Sequence, residues 1–443
     1  MANSIAKDFR FFSLLRFAFP TMVMMVFMSL YTIVDGIFIS RFVGSNALSA
    51  TNIVYPVINL LIACGVMLST GGSALVAKKL GEGKEKEARE DFTVLLLTGI
   101  IAGVILMIAG LFFLKPLVRM LGATDALLAD SMTYLKISLY FAPACILQLF
   151  FQTFFVTAGK PGYGLTLICA GGIFNVIFDY VFMGPLDLGI AGAAIATGMG
   201  QMIPAAAGLL YFTFVRKILY IVKPALHRGT LLGSCTNGSS EMITNISNAV
   251  ITYLFNVIML RLLGEPGVAA ITIVLYGQFL FNALYMGFSM GVGPVISYNH
   301  GRKNIRLLKR VVRICFIFIT ASSAMITVSA LAASPLIVGI FTPSGTKTYV
   351  IAKTGFFLFS VNYLFAGMNI FASAMFTSLN NGPVSAAISF MRTFFFIALN
   401  ILLLPKLLGV IGVWLAVPAA EFMTLFLSLY MIKTRWRQYF TAS

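Results

Sequence analysis

The chain has 443 residues, 59% of them hydrophobic and only 10% charged, with a mean hydropathy of +0.96. A soluble domain carries about 25% charged residues to cover its surface, so a water-soluble enzyme is excluded, as is a single-anchor protein with a large domain outside the membrane. The formal net charge of +17 would suggest nucleic acid in a soluble protein, but in a chain this apolar it is first a question of membrane orientation.

Apolar runs between charged or Gly/Pro-marked breaks predict twelve helices, at 14–40, 50–76, 92–114, 131–157, 163–183, 188–215, 239–260, 268–298, 310–333, 348–378, 384–404 and 409–432. At about 20 apolar residues per span, each is long enough to cross a bilayer. Alternating barrel strands of about ten residues would not give such continuous runs. Lys7, Arg10 and Arg16 precede an apolar run that reaches Ser40, too long for a cleavable signal.

Lys and Arg divide unevenly between the two sides of this map. Twenty-two lie at the chain ends and in the even-numbered connections, six lie in the opposite connections, and three lie within spans. Basic loops stay in the cytoplasm, so both termini are expected there, in the inner membrane of a bacterium. The bias also accounts for the positive charge without a nucleic-acid partner. The five cysteines, Cys64, Cys145, Cys169, Cys235 and Cys315, show neither a disulfide framework nor metal-ligand spacing.

The two halves repeat at an offset of 220 residues. Arg41-Phe42-Val43-Gly44 aligns with Arg261-Leu262-Leu263-Gly264, Gly71 with Gly291, Gly81 with Gly301, and Gly189-Ile190-Ala191-Gly192 with Gly409-Val410-Ile411-Gly412. Six spans per copy is an even number, so both copies cross in the same sense, as parallel transporter repeats do. The expected fold is an all-α polytopic membrane protein of twelve transmembrane helices, in two pseudosymmetric six-helix lobes around a central cleft. The N-lobe is placed at 1–215, a linker at 216–238, and the C-lobe at 239–443. Such a cleft suits alternating access.

Of fourteen acidic residues, four fall inside apolar spans: Asp35, Asp179, Glu241 and Glu421; Glu90 and Asp91 are read with the loops. A charge at membrane depth costs at least about 2.5–3.5 kcal/mol and is a functional candidate by default. Asn175 lies four residues before Asp179, on the same helix face, and Thr197 is the neighbouring hydroxyl in the sixth span. Two carboxylates, an amide oxygen and a hydroxyl suit a hard monovalent cation, or a carboxylate that holds a proton. A hydrogen-bonded structural pair is the alternative. Glu241, at the start of the seventh span, is either a helix cap favoured by the dipole or a gate. Arg392 and Glu421 fall at similar depth and are expected to pair, as a brace or as a substrate contact.

Pro20 and Asp35 in the first span, the junction Arg41-Phe42-Val43-Gly44, the Asn175-x-x-x-Asp179 spacing and Thr197 together resemble the MATE multidrug and toxin extrusion transporters of the MOP superfamily, in their MepA-like and DinF-like bacterial branches. The resemblance implies that Asp35, Asn175, Asp179 and Thr197 bind a coupling Na⁺ or H⁺, with Tyr31 and Tyr134 in the same network and Pro20 at a bend linked to ion occupancy. It implies export of cationic or amphiphilic compounds by antiport. Membrane lipid and these small molecules are the expected partners of a monomer, with no cofactor beyond the coupling ion. Members resembling the NorM branch carry acidic C-lobe ligands midway along the seventh span and in the tenth, where this chain has none. A flippase for a lipid-linked headgroup is the alternative. It would need a cationic cavity, and Arg392 is the clear mid-span base. Gly81-Glu82-Gly83-Lys84 lacks the spacing of a phosphate loop, and His227 and His300 have no partners at metal spacing.

Overall fold

The computed structural model describes residues 4–441, which form helices and no strand. The first lobe comprises α1 (Phe11–Phe38), α2 (Ser45–Gly81), α3 (Glu85–Phe112), the short α4 (Leu114–Met120), α5 (Asp125–Tyr140), α6 (Ala142–Thr157), α7 (Pro161–Met183) and α8 (Gly189–Phe214). The second comprises α9 (Thr230–Leu263), α10 (Glu265–Gly301), α11 (Ile305–Phe341), α12 (Lys347–Phe359), α13 (Tyr363–Ser378), α14 (Gly382–Phe390), α15 (Phe396–Leu408) and α16 (Val410–Phe440). Eleven helices or helix runs are long and apolar enough to cross a membrane, and α5 with α6 makes the twelfth. A helix closes its backbone hydrogen bonds within the segment, which is what the bilayer core demands.

Several helices differ from the sequence expectation, three of them in ways that matter here. The span placed at 131–157 is broken at Phe141, where α5 and α6 meet at 54°. Pro143 supplies the cause, because its ring removes an N–H and clashes with the carbonyl of residue 139. The span placed at 92–114 runs from Glu85 to Phe112, and α4 follows as a separate helix. The seventh span starts at Thr230 rather than at 239, so the non-helical connection between the lobes covers 215–229. The small, polar stretch Gly233–Gly238 falls within the expected linker. In the structure those small residues are what lets α9 lie against α2.

The lobes meet along α1, α2, α9 and α10 in a seam of close backbone approaches. A side chain added at Gly71 would strike Ser234 and Gly238, and one at Gly238 would strike Met67. One at Gly291 would strike Thr21 and Ala18, and one at Gly287 would strike Met22. Farther along, Gly81 lies on Tyr298 and Gly301 on Lys78. The offset of 220 exchanges Ala18 with Gly238 and Lys78 with Tyr298, so these crossings are pseudosymmetry mates. All of them lie toward the Lys/Arg-rich face. Beyond them the central cleft separates the lobes. Replacing Gly238 by Val overpacks the seam, at a cost of about 1–3 kcal/mol, so the closed seam should open about tenfold more often. Maleimide labelling of Cys64 and Cys235, both half-buried, should rise accordingly; unchanged labelling would show that the seam tolerates the wedge.

On the same face the inter-lobe connection is stitched to the first lobe. Asp91 is fully buried in α3 rather than in a loop, where it pairs with Lys79 at 2.6 Å and accepts from Thr230 at 2.9 Å. Glu90 meets His227 at 2.8 Å, Arg89 donates to the Ile218 carbonyl at 3.0 Å, and the Arg89 guanidinium stacks over Tyr220. The N-terminal segment touches both lobes: Ser4 donates to the Gly159 carbonyl at 2.6 Å, and Asp8 pairs with Arg310 at 2.7 Å.

Candidate cation and substrate site

Glycine-mediated crossings assemble the N-lobe site. Gly171 of α7 lies against Gly200 of α8, and Gly172 against Phe27 and Tyr31 of α1. Small residues permit such close helix approach. The crossing brings the Asn175–Asp179 face of α7 to Thr197 of α8 and to Asp35, near the end of α1. Beyond Phe38 the chain continues as a π-helical turn, Ile39–Val43.

Asp35 and Asp179 abut each other, carboxylate to carboxylate. Asp179 is 0% exposed, and neither of its oxygens receives a hydrogen bond from the protein; the same holds for Oδ1 of Asp35 and Oδ1 of Asn175. Asn175 spends its Nδ2 on the Thr197 hydroxyl at 3.4 Å. Among the described residues no Lys, Arg or His forms an ion pair with either aspartate. Two like charges about 4 Å apart repel by about 4 kcal/mol even at an effective dielectric of 20. A proton or a small cation between them removes that repulsion. The donor-free oxygens of Asp35, Asp179 and Asn175, with the Thr197 hydroxyl, fit such a guest. No three His, Cys, Asp or Glu side chains gather as a larger metal-binding group among the described residues.

Tyr31 and Tyr134 belong to the same network. Tyr31 meets Gln148 of α6, and the buried Tyr134 lies in the field of both aspartates. Pro20 sits inside α1, which remains one continuous helix through it. Two members were not anticipated from the sequence. Gln148 was a polar residue within an apolar run. Tyr55 of α2 lies within electrostatic range of both Asp35 and Tyr276 of α10. It remains 46% exposed. A tyrosine preceding Pro56 in an otherwise apolar span was the available signal.

The C-lobe site is built differently. Arg392 lies in a π-helical segment, Met391–Phe395, between α14 and α15. Its Nε donates to Glu421 of α16, at 2.8 Å to Oε1 and 3.1 Å to Oε2. Glu421 is 2% exposed and also accepts from Asn369 of α13 at 2.7 Å. Ser428 donates to Asn369 at 2.9 Å, completing the cradle. Asn369 escaped the sequence reading because only the packing places it under the carboxylate. A chain of hydroxyls, Ser240, Thr377, Ser385, Ser373 and Ser389, joins α9, α13 and α14 at 2.7–3.3 Å.

Glu241 is corrected in position. With α9 beginning at Thr230 it lies three turns inside the helix, so it does not cap the N-terminus. Its side chain has no hydrogen-bond or ion-pair partner among the described residues, and Arg392 is the charge that acts on it.

The family model MatE matches residues 20–181 and 241–402, one stretch in each lobe. Among curated proteins, Multidrug export protein MepA of Staphylococcus saprophyticus is 24% identical over 378 residues, covering 82% of each chain. Its counterpart of the same name in Staphylococcus aureus is 24% identical over 387 residues, covering 81% of each. Among solved structures, the outward-facing conformation of a multidrug resistance MATE family transporter of the MOP superfamily superposes with a TM-score of 0.90 at 20% identity, over 95% of both chains.

Proposed function

The chain belongs to the MatE family, and from that premise we propose that it exports cationic or amphiphilic compounds in exchange for Na⁺ or H⁺ taken up at the N-lobe carboxylates. It is a multi-pass membrane transporter for multidrug efflux, not an enzyme. The Lys/Arg-rich face, with both termini, is assigned to the cytoplasm of a bacterial inner membrane. The chain works as a monomer among lipids, without a cofactor.

One observation carries the exchange reading: the fully buried Asp179 abuts Asp35, and neither pairs with a basic side chain among the described residues. A guest of charge +1 at Asp35, Asp179, Asn175 and Thr197 stabilises the packing of α1 against α7. A ligand shifts a conformational equilibrium only if it favours one of the states, and α1 is placed to transmit that preference. It carries Asp35 near one end, and Ala18 and Met22 in the seam near the other. Pro20, lacking an N–H, lowers the resistance of α1 to bending between them. Tyr31, Tyr134, Tyr55 and Gln148 fix the carboxylates' surroundings. A flippase for phosphate headgroups is disfavoured because the charge of Arg392 is spent on Glu421.

The test is dye efflux from proteoliposomes under separately imposed Na⁺ and pH gradients. Wild type should accelerate under one of them, and Asp35→Asn under neither. Efflux that follows ATP and ignores both gradients would refute the reading.

A further inference from the structure

We propose that the exposed face at the start of α11 is a binding surface for the phosphate headgroup of an anionic phospholipid, with Arg306, Lys309 and Arg313 as its contacts. The inference goes beyond the transport reading and does not depend on it.

The first observation is a break in the pseudosymmetry. At the offset of 220, residues 302–313 correspond to 82–93. The second-lobe stretch carries six Lys or Arg and no acidic residue, a net charge of +6. Its first-lobe mate carries three basic and five acidic residues, a net charge of −2. Those three bases are all matched locally: Lys84 with Glu82 at 3.3 Å, Lys86 with Glu90 at 3.9 Å, and Arg89 with Glu85 at 2.7 Å. In the second lobe Arg310 pairs with Asp8, while Arg302, Lys303, Arg306, Lys309 and Arg313 have no ion-pair partner among the described residues. Membrane orientation is set by Lys and Arg with little regard to Asp and Glu. The orientation therefore does not require the second stretch to shed its acids, and an anionic partner does.

The second observation is where the charges stand. Arg306, Arg310 and Arg313 recur at spacings of four and three, and Ile317, Ala324 and Val328 continue the same helix face. All six are exposed, with Lys309 exposed beside them, whereas Leu307, Leu308, Val311 and Val312 of the opposite face are buried. The apolar part of this outward face belongs in lipid, and the basic part is its direct continuation. At 37 residues α11 is about 55 Å long, against a hydrocarbon core of about 30 Å. Arg306 to Arg313 cover about 10 Å of its first turns, on the Lys/Arg-rich face. They therefore fall in the headgroup layer, where long side chains extend their charge to the phosphates while the stems lie along apolar surface. Asp8 on Arg310 at 2.7 Å shows a carboxylate already seated on this face, which leaves the three flanking bases for lipid.

Native mass spectrometry counts lipid retained by the purified full-length protein, titrated in detergent with phosphatidylglycerol or with phosphatidylcholine of the same chains. Each Lys or Arg near a membrane surface contributes about fivefold. Wild type should therefore prefer phosphatidylglycerol by on the order of a hundredfold, and Arg306→Gln with Lys309→Gln and Arg313→Gln should abolish the preference. These side chains are exposed, so the melting temperature without lipid should not move. Arg306→Lys with Arg313→Lys should keep the preference, and so should Lys84→Gln with Lys86→Gln in the first lobe. Equal preference in wild type and the triple Gln variant overturns the proposal. So does an equal loss in the first-lobe variant, which would mark a response to total charge. Displacement of phosphatidylglycerol by equimolar inorganic phosphate would assign the face to a free anion, and displacement by pentaglutamate to an acidic protein; either result overturns the lipid assignment.

Discussion

Asp179→Asn eliminates the ion-dependent part of dye efflux while the protein remains folded and still binds dye. Asparagine keeps the volume and one oxygen of the fully buried Asp179, but it removes one of the two abutting negative charges. The repulsion that called for a positive guest then disappears, and with it the differential affinity that links ion to conformation. Couplings between sites are typically about 5–150-fold, so gradient stimulation of that size should collapse to near unity. Asp35→Asn should have the same effect, and the double variant should be no worse than either single one, because residues that act as a unit are not additive. The measurement is the ratio of initial efflux rates with and without the driving gradient. A single Asn variant that retains the wild-type ratio would reduce the pair to a structural hydrogen bond through a shared proton.

The second large effect is on stability. Arg392→Met leaves Glu421, 2% exposed, with Asn369 as its remaining side-chain donor. Removing one partner of a buried ion pair costs about 3–5 kcal/mol, whereas replacing both by well-packed neutral groups is often harmless. Arg392→Met should therefore lower the melting temperature in detergent by about 3–5 °C, and Arg392→Met with Glu421→Gln should restore most of it. If the double variant melts as low as the single one, the pair is not the source of the loss; the packing around the π-helical segment Met391–Phe395 would then be responsible.

Much of the cation site was legible before any fold was known, for a reason specific to membranes. An acidic residue in an apolar run is so costly that Asp35 and Asp179 identify themselves, and helical periodicity adds Asn175 to the face of Asp179. Thr197 required the family resemblance as well as its small-residue surroundings. Gln148 and Tyr55 did not stand out, because a single amide or phenol within a span carries little insertion penalty, and its relevance depends on which neighbour it meets. Glu241 was visible as a charge but placed at a helix start, because Gly233–Gly238 read as part of the linker. The same small residues proved to be the contact surface of α9 on α2.

Composition, hydrophobic run length and the repeat at 220 residues determined by themselves that this is a twelve-span membrane protein of two parallel lobes. Those properties are sums over many residues, and the bilayer enforces helix wherever the chain is apolar. Only the tertiary structure decided that Asp35 and Asp179 abut, that Asn369 cradles Glu421, that Glu241 lacks a partner, and that the lobes close through glycines. Each of those depends on the crossing of helices distant in sequence. A shift of one residue in such a crossing would exchange the side chains that meet, with no change in composition or periodicity.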